Sequence, residues 1–173
     1  MKGRFAARFL TSFAVLMVGW WGVRFAAFYR AAVLATTQLL SPLVSGWVLE
    51  YAAGQGGDVV FRLGAQELPM LLQLPALSLG FVPFVSLLVA TPGQGVRRTF
   101  VNAVVGGVLY FLVHVAVVSV YPLIMNEPNV LKDTLGVFTG LLAFVVAPLG
   151  LWFVLTYPTL RSWWQLSPEQ GKG

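Results

Sequence analysis

Cysteine is absent from the 173 residues, which removes disulfides, thiolate metal sites and a cysteine nucleophile together. Charge is scarce too: 10% of the residues are charged, against about 25% in an ordinary soluble domain. The six acidic residues, Glu50, Asp58, Glu67, Glu127, Asp133 and Glu169, all fall outside the long apolar runs. Paired carboxylates are therefore missing from any membrane interior, and with them the usual equipment of an ion- or proton-coupled transporter. Histidine occurs once, at position 114, so no histidine cluster exists to hold a metal. The glycine-rich stretches Gly54-Gln55-Gly56-Gly57 and Gly93-Gln94-Gly95 lack the lysine and hydroxyl residue of a phosphate loop and read as turns. No cofactor is implied.

What is abundant is apolar: 58% of the chain is hydrophobic, with a mean hydropathy of +0.81. Uncharged stretches cover residues 9–23, 31–49, 68–96, 99–126 and 134–160. A transmembrane helix needs roughly 20 apolar residues to cross about 30 Å of hydrocarbon. The reading is an all-α integral membrane protein with four spans at about 9–29, 72–90, 99–121 and 134–156. The net charge of +5 sits at the ends of these runs rather than along one face. It marks membrane topology, not nucleic acid. The basic start, Lys2, Arg4 and Arg8 before Phe9 to Trp21, resembles a signal peptide. Trp20-Trp21 at the end of the run, and Phe25 where a small residue should precede a cleavage site, favour an uncleaved anchor.

Residues 24–49 decide the topology. Arg30, Thr37, Ser41 and Ser45 share one helical face at spacings of seven, four and four, as in a helix lying in the interface with its leucines toward lipid. With four spans the inside holds Lys2, Arg4, Arg8, Arg97, Arg98, Arg161 and Lys172, and the outside Arg24, Arg30, Arg62 and Lys132. Making 31–49 a fifth span leaves only Lys2, Arg4, Arg8, Arg62 and Lys132 inside, against the positive-inside bias. Both termini are therefore expected in the cytoplasm of a bacterial inner-membrane protein. Residues 30–70 form a small outer cap: the interfacial helix, then Trp47 to Tyr51 and Asp58 to Leu63 as a β-hairpin with Glu50 facing Arg62. Thr91-Pro92-Gly93 through Arg98 is a cytoplasmic turn, and Asn126 to Asp133 a short outer loop.

His114 lies inside the third span with no acidic partner in any span. A neutral, hydrogen-bonded packing role fits it better than catalysis, with serine or threonine hydroxyls or backbone carbonyls as its partners. Arg97 and Arg98 read as topology anchors or contacts to anionic head groups. Arg24 and Arg30, on the outer side, either snorkel to head groups or meet an acidic partner segment. Arg62 belongs to the cap. Gly136 and Gly140 form a GxxxG on the fourth span, and Ala103 with Gly107 a similar pair on the third; such pairs let helices approach closely.

This order of parts resembles the small membrane proteins associated with exosortases, in particular the exosortase H-associated type. The resemblance rests on one anchor, a leucine-rich interfacial segment and a β-prone segment ending at Phe61-Arg62-Leu63. The Leu88-Val89-Ala90-Thr91-Pro92 exit with Arg97-Arg98 and two further spans complete it. It implies an accessory role in protein sorting at a Gram-negative envelope. Exosortases themselves are similar to transpeptidases that use a cysteine, and this chain has none, so no catalytic residue carries over.

The leading expectation is a non-catalytic, multi-pass accessory protein whose cap and small-residue helix faces meet another membrane protein within the lipid bilayer. The alternative is a lipid- or polyprenyl-binding or transport component, with Arg24, Arg30 and His114 lining an outer-leaflet pocket. An intramembrane enzyme built on His114 is the third reading.

Overall fold

A computed structural model describes residues 2–22, 24–51, 59–70, 79–126 and 130–165. Among these residues six α-helices and a three-stranded antiparallel sheet follow in the order α1 (Lys2–Gly22), α2 (Phe25–Val44), β1 (Val48–Tyr51), β2 (Val59–Leu63), β3 (Gln66–Pro69), α3 (Phe81–Ala90), α4 (Val96–Met125), α5 (Val130–Leu141) and α6 (Ala147–Gln165). A π-helical turn, Leu142–Val146, joins α5 to α6.

Two helical stretches, Val96–Met125 and Thr134–Ser162, are long and apolar enough to cross a membrane. There are three if the bent pair α1 and α2 counts as one broken span. The break corrects the expected continuous span at 9–29. The helix axes diverge by 70°, and Arg24 takes up left-handed backbone at φ 57°. It is the only non-glycine residue with positive φ among those described. Its carbonyl accepts the amides of Ala27 and Phe28, so α2 starts from a reversed peptide and not from a side-chain cap.

The expected third span is longer than 99–121 at both ends. Gly95 is extended before α4 starts. Pro122 does not stop the helix, because proline removes only its own N–H and its carbonyl still accepts the amide of Asn126 at 3.0 Å. The fourth stretch also begins earlier than 134: Lys132 and Asp133, placed by sequence in a loop, lie in α5. Of the expected span at 72–90, residues 72–78 lie outside the described residues. Within the remainder, α3 is ten residues long and ends where Thr91 turns extended before Pro92, as a residue preceding proline prefers.

Helix α3 packs against α1, α4 and α6. Its residues Val82, Phe84, Ser86, Leu88 and Ala90 are all buried, because a helix enclosed on several sides buries more than one stripe. Close approach to α4 depends on Gly106, where an added Cβ would collide with the ring edge of Phe84. Asn102 donates to the Leu155 carbonyl at 3.2 Å, tying α4 to α6. Trp152 Nε1 donates to Thr91 Oγ1 at 3.0 Å, tying α6 to the end of α3.

The two strands expected within 47–63 pair antiparallel, and a third joins them; the turn expected between them, at 52–58, lies outside the described residues. Leu49 pairs with Phe61 in β1–β2, and Arg62 with Glu67 in β2–β3. Strand alternation turns Trp47, Leu49, Val59 and Phe61 inward, where all four are buried. Phe61 stacks on Tyr121 of α4 at 5.9 Å between ring centroids. On the outward face Arg62 bridges Glu50 at 3.0 Å and Glu67 at 2.8 Å, linking all three strands. Glu50 lies opposite Val60, so it reaches Arg62 diagonally. All three side chains are about half exposed. Arg62→Ala is therefore expected to cost the sheet no more than about 1 kcal/mol. Hydrogen exchange of the strand amides in detergent checks this, with protection retained as the expected result.

The face of α2 read as a polar stripe turns toward the protein. Tyr29, Val33, Thr37 and Ser41, spaced by four, are all buried, while Leu39 and Leu43 are 75% and 82% exposed. Leu39, Leu40 and Leu43 point outward as expected, but Leu34 is buried, and the stripe read as that of an interfacial helix faces the protein.

Candidate functional site

The buried centre of the molecule is built around His114. Helix α4 carries it, α2 lies across α4, and the π-turn approaches from a third side. His114 is fully buried, and its Nδ1 stands 2.7 Å from the Tyr29 hydroxyl. The phenol donates to Nδ1 when the ring proton is on Nε2, and accepts when it is on Nδ1. Tyr110, one turn before His114, packs against the imidazole at 4.2 Å between centroids. Tyr29 meets it edge-on at 83°, and Phe144 of the π-turn closes the far side at 6.4 Å. Gly80 admits this packing, because a Cβ there would collide with the Tyr110 hydroxyl and crowd the Phe144 carbonyl. A π-turn widens the helix and releases carbonyls from the regular ladder. Here it coincides with the one histidine and two buried phenols.

This partner differs in kind from the serine, threonine or carbonyl expected. Tyr29 and His114 are 85 positions apart, and no local pattern links them. Farther along the α2 face, Thr37 Oγ1 and Ser41 Oγ are buried without a hydrogen-bond partner, as are Ser119 Oγ and His114 Nε2. Elsewhere Thr36, Ser45, Ser86 and Thr156 donate to the carbonyl four residues back, which is the ordinary solution for a helical hydroxyl.

A groove of about 450 Å³ lies beside this centre, lined by Phe25, Tyr29, Phe81, Val85, Ala103, Val104, Gly107, Val108 and Phe111. Arg24, Arg30 and His114 do not line it, contrary to the pocket expected of them. Arg24 stands exposed next to Phe25, Arg30 is partly buried, and His114 lies behind Tyr29. Arg97 and Arg98 are exposed in the first turn of α4. Ala103 and Gly107 face α3, with Gly107 close to the Phe81 ring. Gly136 faces Met125 of α4, so this contact lies within the chain. Gly140 meets only Phe144 of its own helical stretch and lines a small gap with Val117 and Tyr121. Sequence reasoning passed over Gly106, Tyr29 and Tyr110. For Gly106 the adjacent Gly106-Gly107 pair was a usable signal. Among the described residues no group of three or more histidine and acidic side chains is placed to hold a metal.

No family model, no curated protein and no solved structure matches this chain.

Proposed function

We propose that the protein is a non-catalytic, multi-pass accessory subunit of the bacterial inner membrane, with four spans and both termini in the cytoplasm. Its outer cap serves as a docking platform for another membrane protein. The observation that carries this reading is the bracing of the cap. The sheet rests on α4 through Phe61 and Tyr121, and α2 is held to α4 through Tyr29 and His114. A platform rigid before binding loses little freedom on binding. It offers two apolar side chains more than 40% exposed: Val48, on the outward face beside the Glu50–Arg62–Glu67 bridge, and Leu63, at the end of β2. On this reading His114 is a structural hub, enclosed by rings and engaged by a phenol. The resemblance to exosortase-associated proteins would give the platform its setting, envelope protein sorting.

The test is affinity purification of the tagged protein in mild detergent from its native host, with mass spectrometry of the companions. A membrane protein in stoichiometric yield is the expected result, and the double variant Val48→Lys, Leu63→Lys should lose it. A preparation that reproducibly contains the chain alone ends the reading.

A further inference from the structure

The α1–α2 break brings together an unusual set of features. Two apolar helices meet at a left-handed arginine. A non-glycine residue in that region is uncommon, and such outliers persist where the surroundings hold them. The 20 residues of α2 begin there with no side-chain cap and no acid in the first turn, so the positive end of the helix dipole is unanswered. Arg24 adds a full positive charge at the same point and makes no ion pair among the described residues. The next residue, Phe25, is the first wall of the open groove, which continues through Tyr29, Phe81, Ala103, Gly107 and Phe111. Small side chains at 103 and 107 make its floor, and aromatic rings make its sides. Its volume falls in the range of small-ligand sites, about 300–1,000 Å³.

We propose that this groove holds one acyl chain of an anionic phospholipid, whose phosphate is bound by Arg24. The inference goes beyond the docking role of the cap and does not depend on it. Charge complementarity selects the occupant. A partner's apolar helix would fill the groove but leave the cation and the bare helix start unmatched. An anionic phospholipid answers both, because its phosphate accepts from the guanidinium while its tail lies against the rings.

The experiment uses the purified full-length protein in lipid nanodiscs, with two probes carrying a photoreactive group in the acyl chain, one phosphatidylglycerol and one phosphatidylcholine. The expected result is labelling of the 103–111 segment that favours phosphatidylglycerol by about tenfold, the effect of one charge-assisted hydrogen bond. Arg24→Gln should abolish the preference. Ala103→Trp should remove labelling by both probes. Val104→Trp, at a half-exposed rim position, serves if the first substitution prevents folding. Equal labelling by the two lipids that none of the variants alters would overturn the proposal, leaving only bulk lipid against an apolar surface. So would cross-linking of a photoreactive amino acid at position 104, in native membranes, to a protein and not to lipid. Because the labelling is done on the isolated chain, it stands or falls separately from the search for a partner.

Discussion

Gly106→Leu is expected to prevent stable assembly of the helical core, at a cost of about 3 kcal/mol or more, the upper part of the range for overpacking. The first added atom already collides with the Phe84 ring edge and stands 2.9 Å from Leu155 Cδ1. Phe84 is fully buried in α3, so the ring cannot move aside without displacing its neighbours. The helices α3, α4 and α6 would have to separate, breaking the Asn102 and Trp152 hydrogen bonds with them. Two other glycines supply the controls. At Gly136 an added Cβ meets the Met125 methyl, the end of a flexible side chain, so Gly136→Ala should be mild. At Gly140 the nearest atom is 3.8 Å away. Gly140→Ala should therefore be neutral, or stabilising by up to about 1 kcal/mol through helix propensity. Thermal unfolding in one detergent ranks the three. An equal loss at 106 and 140 would show that the α3–α4 contact is not the tight one.

The second large effect is expected at His114. Truncation to alanine opens a void among Tyr29, Tyr110 and Phe144 and strands the Tyr29 phenol, for a loss of about 2–4 kcal/mol. Tyr29→Phe keeps the ring and removes only the hydroxyl. Hydrogen bonds inside membrane proteins average about 0.6 kcal/mol, so this variant should lose less than about 1.5 kcal/mol. The gap between the two separates the packing of the imidazole from its single bond. Unfolding by a denaturing detergent measures both. Equal losses would mean that the hydrogen bond, and not the packing, holds α2 to α4.

Features that depend on neighbours in the chain were legible beforehand. The β-prone runs Trp47 to Tyr51 and Asp58 to Leu63 on either side of a glycine-rich stretch announced the first two strands. The Thr37 and Ser41 stripe marked one distinct face of α2, though as that of an interfacial helix and not as a face turned to the protein. Strand β3 was not legible, because Gln66 and Glu67 have low strand propensity and Pro69 cannot donate to a ladder. It forms as an edge, where such residues are tolerated. The break at Arg24 had two signals, Gly22 and the end of the uncharged run at residue 23, and the span expected at 9–29 ran through both. The His114 centre was half legible: the histidine stood out as an ionisable group in a span. Its partner depended on how α2 crosses α4, which no spacing within either helix encodes. The groove likewise arises from three separate helices, so Phe25, Phe81 and Phe111 carried no common pattern.

The π-turn at Leu142–Val146 works as a phase shifter. Leu155 comes 19 positions after Gly136 (155 − 136), which in a regular helix sets them about 100° apart in azimuth. One surplus residue accommodated in the wide turn cancels about that angle. Gly136 can then lie on Met125 while Leu155 lies on Gly106, both against α4. The two halves of this long stretch are thus in step with one neighbour only because the wide turn absorbs the surplus residue. Losing one residue from 142–146 would leave 18 positions (19 − 1), about five whole turns of a regular helix, so α6 would keep its contacts and only the wide turn would close. Gaining one there would instead swing α6 about 100° off them.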